Sequence, residues 1–133
     1  MFLQAVAVAA GGMHTVCLTA SGKIFTWGVN DEGALGRYTE GEAWKNSGFA
    51  KGKPQDSYTP GVVNLPADAQ KIVALSAGDS HTLVLDIKGA IFGWGTFRDG
   101  SGVMGFAPGQ RIAVCLTPFA PDALLRIRFQ WTP

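Results

Sequence analysis

The sequence has 133 residues, a net charge of +1 and a composition that is 47% hydrophobic and 16% charged. This length suits one domain or a piece of a larger one, and the apolar-rich composition excludes an intrinsically disordered chain. The nearly neutral charge excludes a strongly basic protein that binds nucleic acid non-specifically, and no apolar run is long enough for a transmembrane helix.

The N-terminal residues 1–10 are apolar and end in small residues, but no basic residue precedes the apolar run. We therefore predict a strand there, and not a secretory signal peptide. The two cysteines, Cys17 and Cys115, are too few for a disulfide framework. Cys17 lies in an apolar run, where a buried thiol is expected.

An internal repeat organises most of the chain. Residues 8–28 and 75–95 align without a gap at an offset of 67, with ten identities in 21 positions. Each copy predicts an extended apolar stretch, an Ala-Gly turn, a second strand, a tight turn at Gly22 or Gly89, and a third strand. The second and third strands are predicted at residues 14–19 and 23–27 in the first copy, and at residues 81–86 and 90–94 in the second.

Repeated antiparallel meanders with Gly and aromatic residues at fixed positions are typical of an all-β fold, the β-propeller, in which each repeat forms one blade. We divide the chain into a first repeat (1–37), an inter-blade loop (38–61), a second repeat (62–106) and a divergent tail (107–133). Residues 60–66 are predicted to form the strand that enters the second blade.

Four aromatic side chains recur at the same repeat positions: His14 and His81, and Trp27 and Trp94. Structural roles are expected for all four. The imidazoles would bond to backbone between strands, and the indoles would fill the core. No Cys, Asp or Glu cluster has the spacing of metal ligands. No cofactor is expected, and no nucleophile–base set or phosphate-binding loop indicates an enzyme.

Four segments resemble one known family: GGMHTVCL (11–18), NDEGALGR (30–37), SAGDSHT (76–82) and WGTFRDGSGVMG (94–105). Over residues 5–106 the chain resembles the regulator of chromosome condensation family, especially its members that exchange guanine nucleotide on the small GTPase Ran. The resemblance implies about two blades of a seven-bladed propeller. It also implies exchange of nucleotide on Ran without bond chemistry, and a nuclear location; without that resemblance, nothing in the sequence indicates any place but the cytoplasm.

After its third strand the second repeat is two residues longer than the first, when Ala34-Leu35-Gly36 is aligned with Val103-Met104-Gly105. Insertions in repeats fall in loops on one face, often the binding face. The resemblance implies that residues 97–104 form a wedge that enters Ran near its nucleotide. Arg98 and Asp99 pairing with each other at the surface is the alternative. The residues that match the family's wedge are Phe97, Arg98, Asp99, Gly102 and Val103, whereas Gly100 and Ser101 replace its usual amide side chains.

Three acidic residues are candidates for the Ran-binding surface. Asp79 replaces Gly12 of the first repeat, and the resemblance implies that Asp79 faces Ran. The alternative for Asp79 is a turn residue that bonds to local N–H groups. Asp31 and Glu32 are weaker candidates, since solvated acids in an Asn-Asp-Glu-Gly turn need no partner.

The rest of the sequence carries less information. Residues 38–60 read as a solvated loop, and their three lysines do not make a nucleic-acid site. Beyond residue 106 the repeat pattern ends, with a short helix over 122–128 and a strand over 126–131 as weak predictions. We interpret the tail as the result of a truncated or mis-spliced reading frame. Because two blades cannot close a ring, we also expect exposed blade faces that are prone to association.

We expect Ran as the partner, with chromatin and histones as partners only of a full-length parent protein, and no membrane. Two other functions remain open. One is a propeller-repeat scaffold that binds proteins without exchange activity, and the other is a gene-model fragment with no function.

Overall fold

The computed structural model describes residues 4–30, 32–39 and 55–96, and every regular element within these ranges is a β-strand. The predicted all-β fold is confirmed. No helix in this part of the chain could cross a membrane. The predicted tail elements lie outside the described residues. The seven strands are β1 (Ala5–Ala10), β2 (His14–Thr19), β3 (Ile24–Gly28), β4 (Gly61–Val63), β5 (Ile72–Ala77), β6 (His81–Asp86) and β7 (Ile91–Gly95).

The strands form two antiparallel sheets, one with the order β1-β2-β3-β4 and one with the order β5-β6-β7. The sequence repeat reappears in the strand register. His14 pairs with Gly28 in the first sheet, as His81 pairs with Gly95 in the second. The first hairpin of each sheet has the same irregularity, between Ala5 and Ala7 and between Ile72 and Ala74. Each meander is therefore one blade, built twice to the same plan.

The prediction for the strand at residues 60–66 was wrong. Gly61–Val63 does not enter the second blade but pairs with β3 as the outer strand of the first, with Val63 opposite Ile24. Arg37 provides the physical reason. Its buried guanidinium donates to the backbone carbonyls of Asp56, Ser57 and Thr59, and so holds the returning chain beside β3.

The tight turns of both blades use glycine in a left-handed conformation, as predicted, with φ of 84° at Gly22 and 86° at Gly89. The two blades differ in the residue that begins this turn. In the second blade the carboxylate of Asp86 accepts backbone N–H bonds from Lys88 and Ala90. Burial raises the pKa of Asp86, but these bonds and one from the Gln70 N–H outweigh it, so that the pKa is lowered overall.

The hydrophobic core lies between the two sheets. Aliphatic side chains from β2, β3 and β4 meet side chains from β5, β6 and β7, with Ala7 and Ala9 of β1 packed at the edge. The blades are thus stacked face to face, as consecutive blades of a propeller are. The members of this core are Val16, Leu18, Ile24, Val63, Ile72, Val84 and Trp94.

Candidate functional site

The candidate site lies at one end of the two blades, which we call the loop end: residues 11–13, 29–30, 32–37, 78–80 and Thr96. Antiparallel pairing brings the start of each second strand beside the end of the third, His14 beside Gly28 and His81 beside Gly95. The loops that follow β3 and β7 therefore leave from the same end as the Ala-Gly turns. Asp79 and Thr96, the last described residue before the insertion, share that end.

Asp79 is exposed in the turn before β6. Within the described part of the chain no donor bonds to its carboxylate, so the predicted turn-capping alternative has no hydrogen bond there to support it. The turn lies against its counterpart in the first blade, and the Gly12 N–H donates to the Gly78 carbonyl over 3.3 Å. A Cβ at Gly12 would lie 3.0 Å from the Asp79 carbonyl oxygen. The first blade thus needs a small residue where the second carries an acid.

Thr96 follows β7 and is the last described residue before the inserted loop. Its N–H donates to the Ser80 carbonyl over 2.9 Å, and its hydroxyl, which is buried, donates to the Glu32 carboxylate over 3.3 Å. The structure therefore brings Glu32 of the first blade to the base of the second blade's loop. The wedge candidates Phe97, Arg98, Asp99, Gly102 and Val103, and also Asp31, lie outside the described residues.

The NDEGALGR loop after β3 contacts the second blade through Ala34. The buried amide of Asn30 accepts from the Leu35 N–H over 3.0 Å and donates to the Arg37 carbonyl and the Thr39 hydroxyl. This bracing points the Ala34 carbonyl at the second blade. A motif that carried the family resemblance therefore has a packing role that the sequence pattern did not reveal.

The Ala34 carbonyl accepts two hydrogen bonds from the second blade, one from the Trp94 indole over 2.8 Å and one from the Thr82 hydroxyl over 2.9 Å. The Trp94 ring lies on Gly36, where a Cβ would come within 2.8 Å of the ring. Trp94 is fully buried, whereas the equivalent Trp27 is half-buried. The recurrence of Thr beside His in both repeats could have marked Thr82, whereas Ala34 does not recur, since Val103 aligns with it.

His14 also crosses between the blades. Its Nε2 lies 2.8 Å from the Thr82 hydroxyl oxygen. Because that hydroxyl donates its hydrogen to Ala34, the imidazole Nε2 must carry the proton of this bond. The sequence predicted that the imidazole bonds to backbone between strands; His14 has a hydrogen bond with the His81 backbone and, in addition, this bond to a side chain of the neighbouring blade. His81, at the same position in the second blade, is half-buried.

The pKa of His14 is lowered, chiefly because burial disfavours the imidazolium. The neighbouring His81 lowers it further, while a hydrogen bond with the His81 backbone raises it. We call the contact between the two blades, made by His14, Ala34, Thr82 and Trp94, the joint. It therefore contains a neutral imidazole. Among the described residues no three His, Cys, Asp or Glu side chains are grouped to hold a metal ion.

Comparisons with known proteins agree with this architecture. A family model of the regulator of chromosome condensation repeat matches residues 21–85, and a second model of that repeat matches residues 5–34 and 72–101. The regulator of chromosome condensation of Xenopus laevis is 51% identical over 100 residues, which are 75% of this chain and 20% of that protein. The guanine nucleotide exchange factor SRM1 of Saccharomyces cerevisiae is 32% identical, covering 86% of this chain and 26% of that protein.

Solved structures show the same likeness. Yeast RCC1 (Prp20) bound to Kap60 matches with a TM-score of 0.62 and 33% identity, over 81% of this chain and 23% of that one. Prp20p of Saccharomyces cerevisiae, described with its binding to Gsp1p and histones, matches with a TM-score of 0.57 and 31% identity, over 80% of this chain and 23% of that one.

The chain spans about one fifth to one quarter of the length of these relatives. The two family models together cover residues 5–101, which include both sheets, and the sheets repeat in the register that the sequence repeat predicts. The chain therefore belongs to the regulator of chromosome condensation repeat family and carries about two blades of its β-propeller.

Proposed function

We propose that this chain is part of a guanine-nucleotide exchange factor for the small GTPase Ran, and that its loop end faces Ran. One observation carries the proposal. The exposed Asp79 carboxylate, with no bonded donor in the described residues, shares an end of the blade with Thr96, from which the inserted loop departs. The name of the yeast relative, a guanine nucleotide exchange factor, supports the same activity.

The chemistry would be one of binding and not of bond breaking. A small GTPase holds its nucleotide through a phosphate-binding loop, a lysine and Mg²⁺. Departure of the nucleotide leaves cationic groups without their phosphate partners. A carboxylate such as Asp79 can pair with one of them, and residues 97–104 can displace the segments that hold the phosphates. Stabilising the nucleotide-free state in this way shifts the population of the GTPase toward nucleotide release.

The loop end is suited to this role because its backbone is held in place. The Gly78 N–H donates to the His81 carbonyl over 2.9 Å, which closes the turn that carries Asp79. Thr96 is bonded to Ser80 in the same turn. A carboxylate on a preformed turn loses little conformational freedom when a partner binds.

The test is the rate of mantGDP release from Ran. Because two blades do not make a complete propeller, residues 5–106 replace the aligned segment of the Xenopus laevis relative. Asp79→Asn in this chimera should slow release about thirtyfold or more, since losing one partner of an interfacial charge pair costs about 2 kcal/mol or more. Asp68→Asn is the matched control, because Asp68 is also exposed but lies before β5, at the opposite end of the blade.

The outcomes separate the candidate functions. Equal rates for the chimera and both variants, with unchanged thermal stability, would remove Asp79 from the proposal. A chimera that binds Ran without releasing nucleotide would favour a scaffold. Histone binding is described for the yeast propeller, and we extend it, with a nuclear location, only to a longer parent protein.

A further inference from the structure

The turn that carries Asp79 packs against Gly12, its counterpart in the first blade. A Cβ built on Gly12 would have three atoms of Asp79 as its nearest neighbours beyond the adjoining residues. They are the carbonyl oxygen at 3.0 Å, the Cα at 3.2 Å and the carboxylate Oδ1 at 3.3 Å. Two acceptor oxygens of Asp79 therefore converge on the space that a side chain at Gly12 would fill.

Neither of these oxygens is used within the folded blades. In the described part of the chain no donor bonds to the carbonyl oxygen or to the carboxylate of Asp79. The two turns are held together by other groups, since the Gly12 N–H donates to the Gly78 carbonyl. Gly12 and Asp79 are both exposed. The space over Gly12 thus gives access from solvent to two acceptors that a ligand can satisfy.

The backbone conformation does not explain the glycine at position 12. Gly12 lacks the positive φ that favours glycine at Gly22 and Gly89. An alanine could adopt its conformation, but the alanine Cβ would press on Asp79. The proximity of Asp79 is therefore the feature of the structure that disfavours a side chain at this position.

We propose that the cationic head of one side chain of the GTPase reaches Asp79 through the space over Gly12. This inference rests on the proposed function and adds Gly12 to it as a positioning residue. An ammonium or guanidinium group carries several N–H donors and no acceptor, so it can bond to both oxygens of Asp79. Such charge-assisted bonds are stronger than neutral ones. A side chain at Gly12 would occupy the space and keep the cationic head away.

Release of mantGDP from Ran by the chimera tests this inference through two variants of increasing size. Gly12→Ala should slow release about tenfold, and Gly12→Val about thirtyfold, which is the loss expected when Asp79 has no partner. Ala20→Val is the matched control and should release nucleotide at the unchanged rate. Ala20 is exposed in the turn after β2, at the opposite end of the same blade.

The same two changes in the Asp79→Asn chimera distinguish access from a structural effect. They should slow release no further there, because the charge pair that they obstruct is already lost. A loss of the same size in both backgrounds would mean that Gly12 serves only the packing of the turns, and would overturn the inference. Near-UV circular dichroism of the buried Trp94 verifies that every variant is folded.

Failure of this inference differs from failure of the proposed function. If Asp79→Asn slows release while Gly12→Ala and Gly12→Val release nucleotide like the unmodified chimera, the route over Gly12 is wrong and the role of Asp79 stands. If Asp79→Asn leaves the rate unchanged, the role of Asp79 is wrong, and the route over Gly12 falls with it.

Discussion

Trp94 and Trp27 occupy equivalent positions in the two blades, but only Trp94 has a neighbouring blade against its face in the described structure. Its indole N–H bonds to the Ala34 carbonyl, and its ring covers Gly36. The half-buried Trp27 shows that the same residue type at the same register position is not enough to make a joint. The loop after β3 supplies the other side of the contact, the Ala34 carbonyl and Gly36.

Trp94→Phe should lower the free energy of unfolding by about 2–3 kcal/mol, because it removes the indole hydrogen bond and leaves a void above Gly36. Trp27→Phe should cost below about 1 kcal/mol, since that side chain is half-buried. Urea unfolding of the dilute chain measures both values. Equal losses for the two variants would contradict the role assigned to the Ala34 carbonyl.

The lowered pKa of His14 gives the joint a pH dependence with a definite sign. The unfolded imidazole titrates at about pH 6.5, and the folded one titrates lower. As pH falls below about 6.5, the unfolded state binds the proton first, so stability falls until the folded pKa is reached. Above pH 6.5 this contribution is complete.

We therefore expect a smaller free energy of unfolding at pH 5.5 than at pH 7.5. His14→Gln should be less stable at pH 7.5 and should lose most of the difference between the two pH values. Urea titrations at both pH values provide the measurement. An undiminished pH response in the His14→Gln variant would assign it to another group.

At the scale of elements, the loop after β3 joins the blades through its backbone. Asn30 is buried and braces the loop with three hydrogen bonds, to Leu35, Arg37 and Thr39. The loop's glycines at 33 and 36 have φ of 81° and 62°, which β-branched residues do not adopt. The NDEGALGR motif therefore specifies a loop conformation that positions the Ala34 carbonyl to accept hydrogen bonds from the second blade.

Asn30→Ala should destabilise the chain by about 2–3 kcal/mol, because each lost hydrogen bond is worth about 1 kcal/mol. The Ala34 carbonyl should also lose its position, which would weaken the near-UV signal of Trp94. Asn64→Ala is the control, since Asn64 is exposed beside β4. A normal Trp94 signal in a destabilised Asn30→Ala variant would mean that the loop keeps its shape without the amide.

The strands themselves follow from local sequence. The internal repeat and its turn glycines 22 and 89 predicted β2, β3, β6 and β7 to within one residue of the observed bounds, and an extended stretch at β1 and at β5. The partner of β4 could not be predicted this way, because it depends on Arg37 binding carbonyls about twenty residues further along the chain. The partner of His14 was missed for the same reason, as Thr82 lies 68 residues away.

At the scale of the whole molecule, the packed faces of the two blades and their loop end have different roles. The stacked faces explain stability, while the loop end carries the groups that a partner would meet. The sequence predicted Asp79 as a candidate from the contrast with Gly12, and the stacking of the two turns explains that contrast physically. The position of Glu32 against Thr96 could not be anticipated, because it joins loops from different blades.

The proposal that the loop end faces Ran is tested most directly by photocrosslinking. Met13 at the loop end and Ile87 at the opposite end are 70% and 62% exposed, so either accepts a benzoylphenylalanine without loss of fold. In the chimera with the Xenopus laevis relative, the label at position 13 should crosslink to nucleotide-free Ran, and the label at position 87 should not. Crosslinking from position 87 alone would contradict the account.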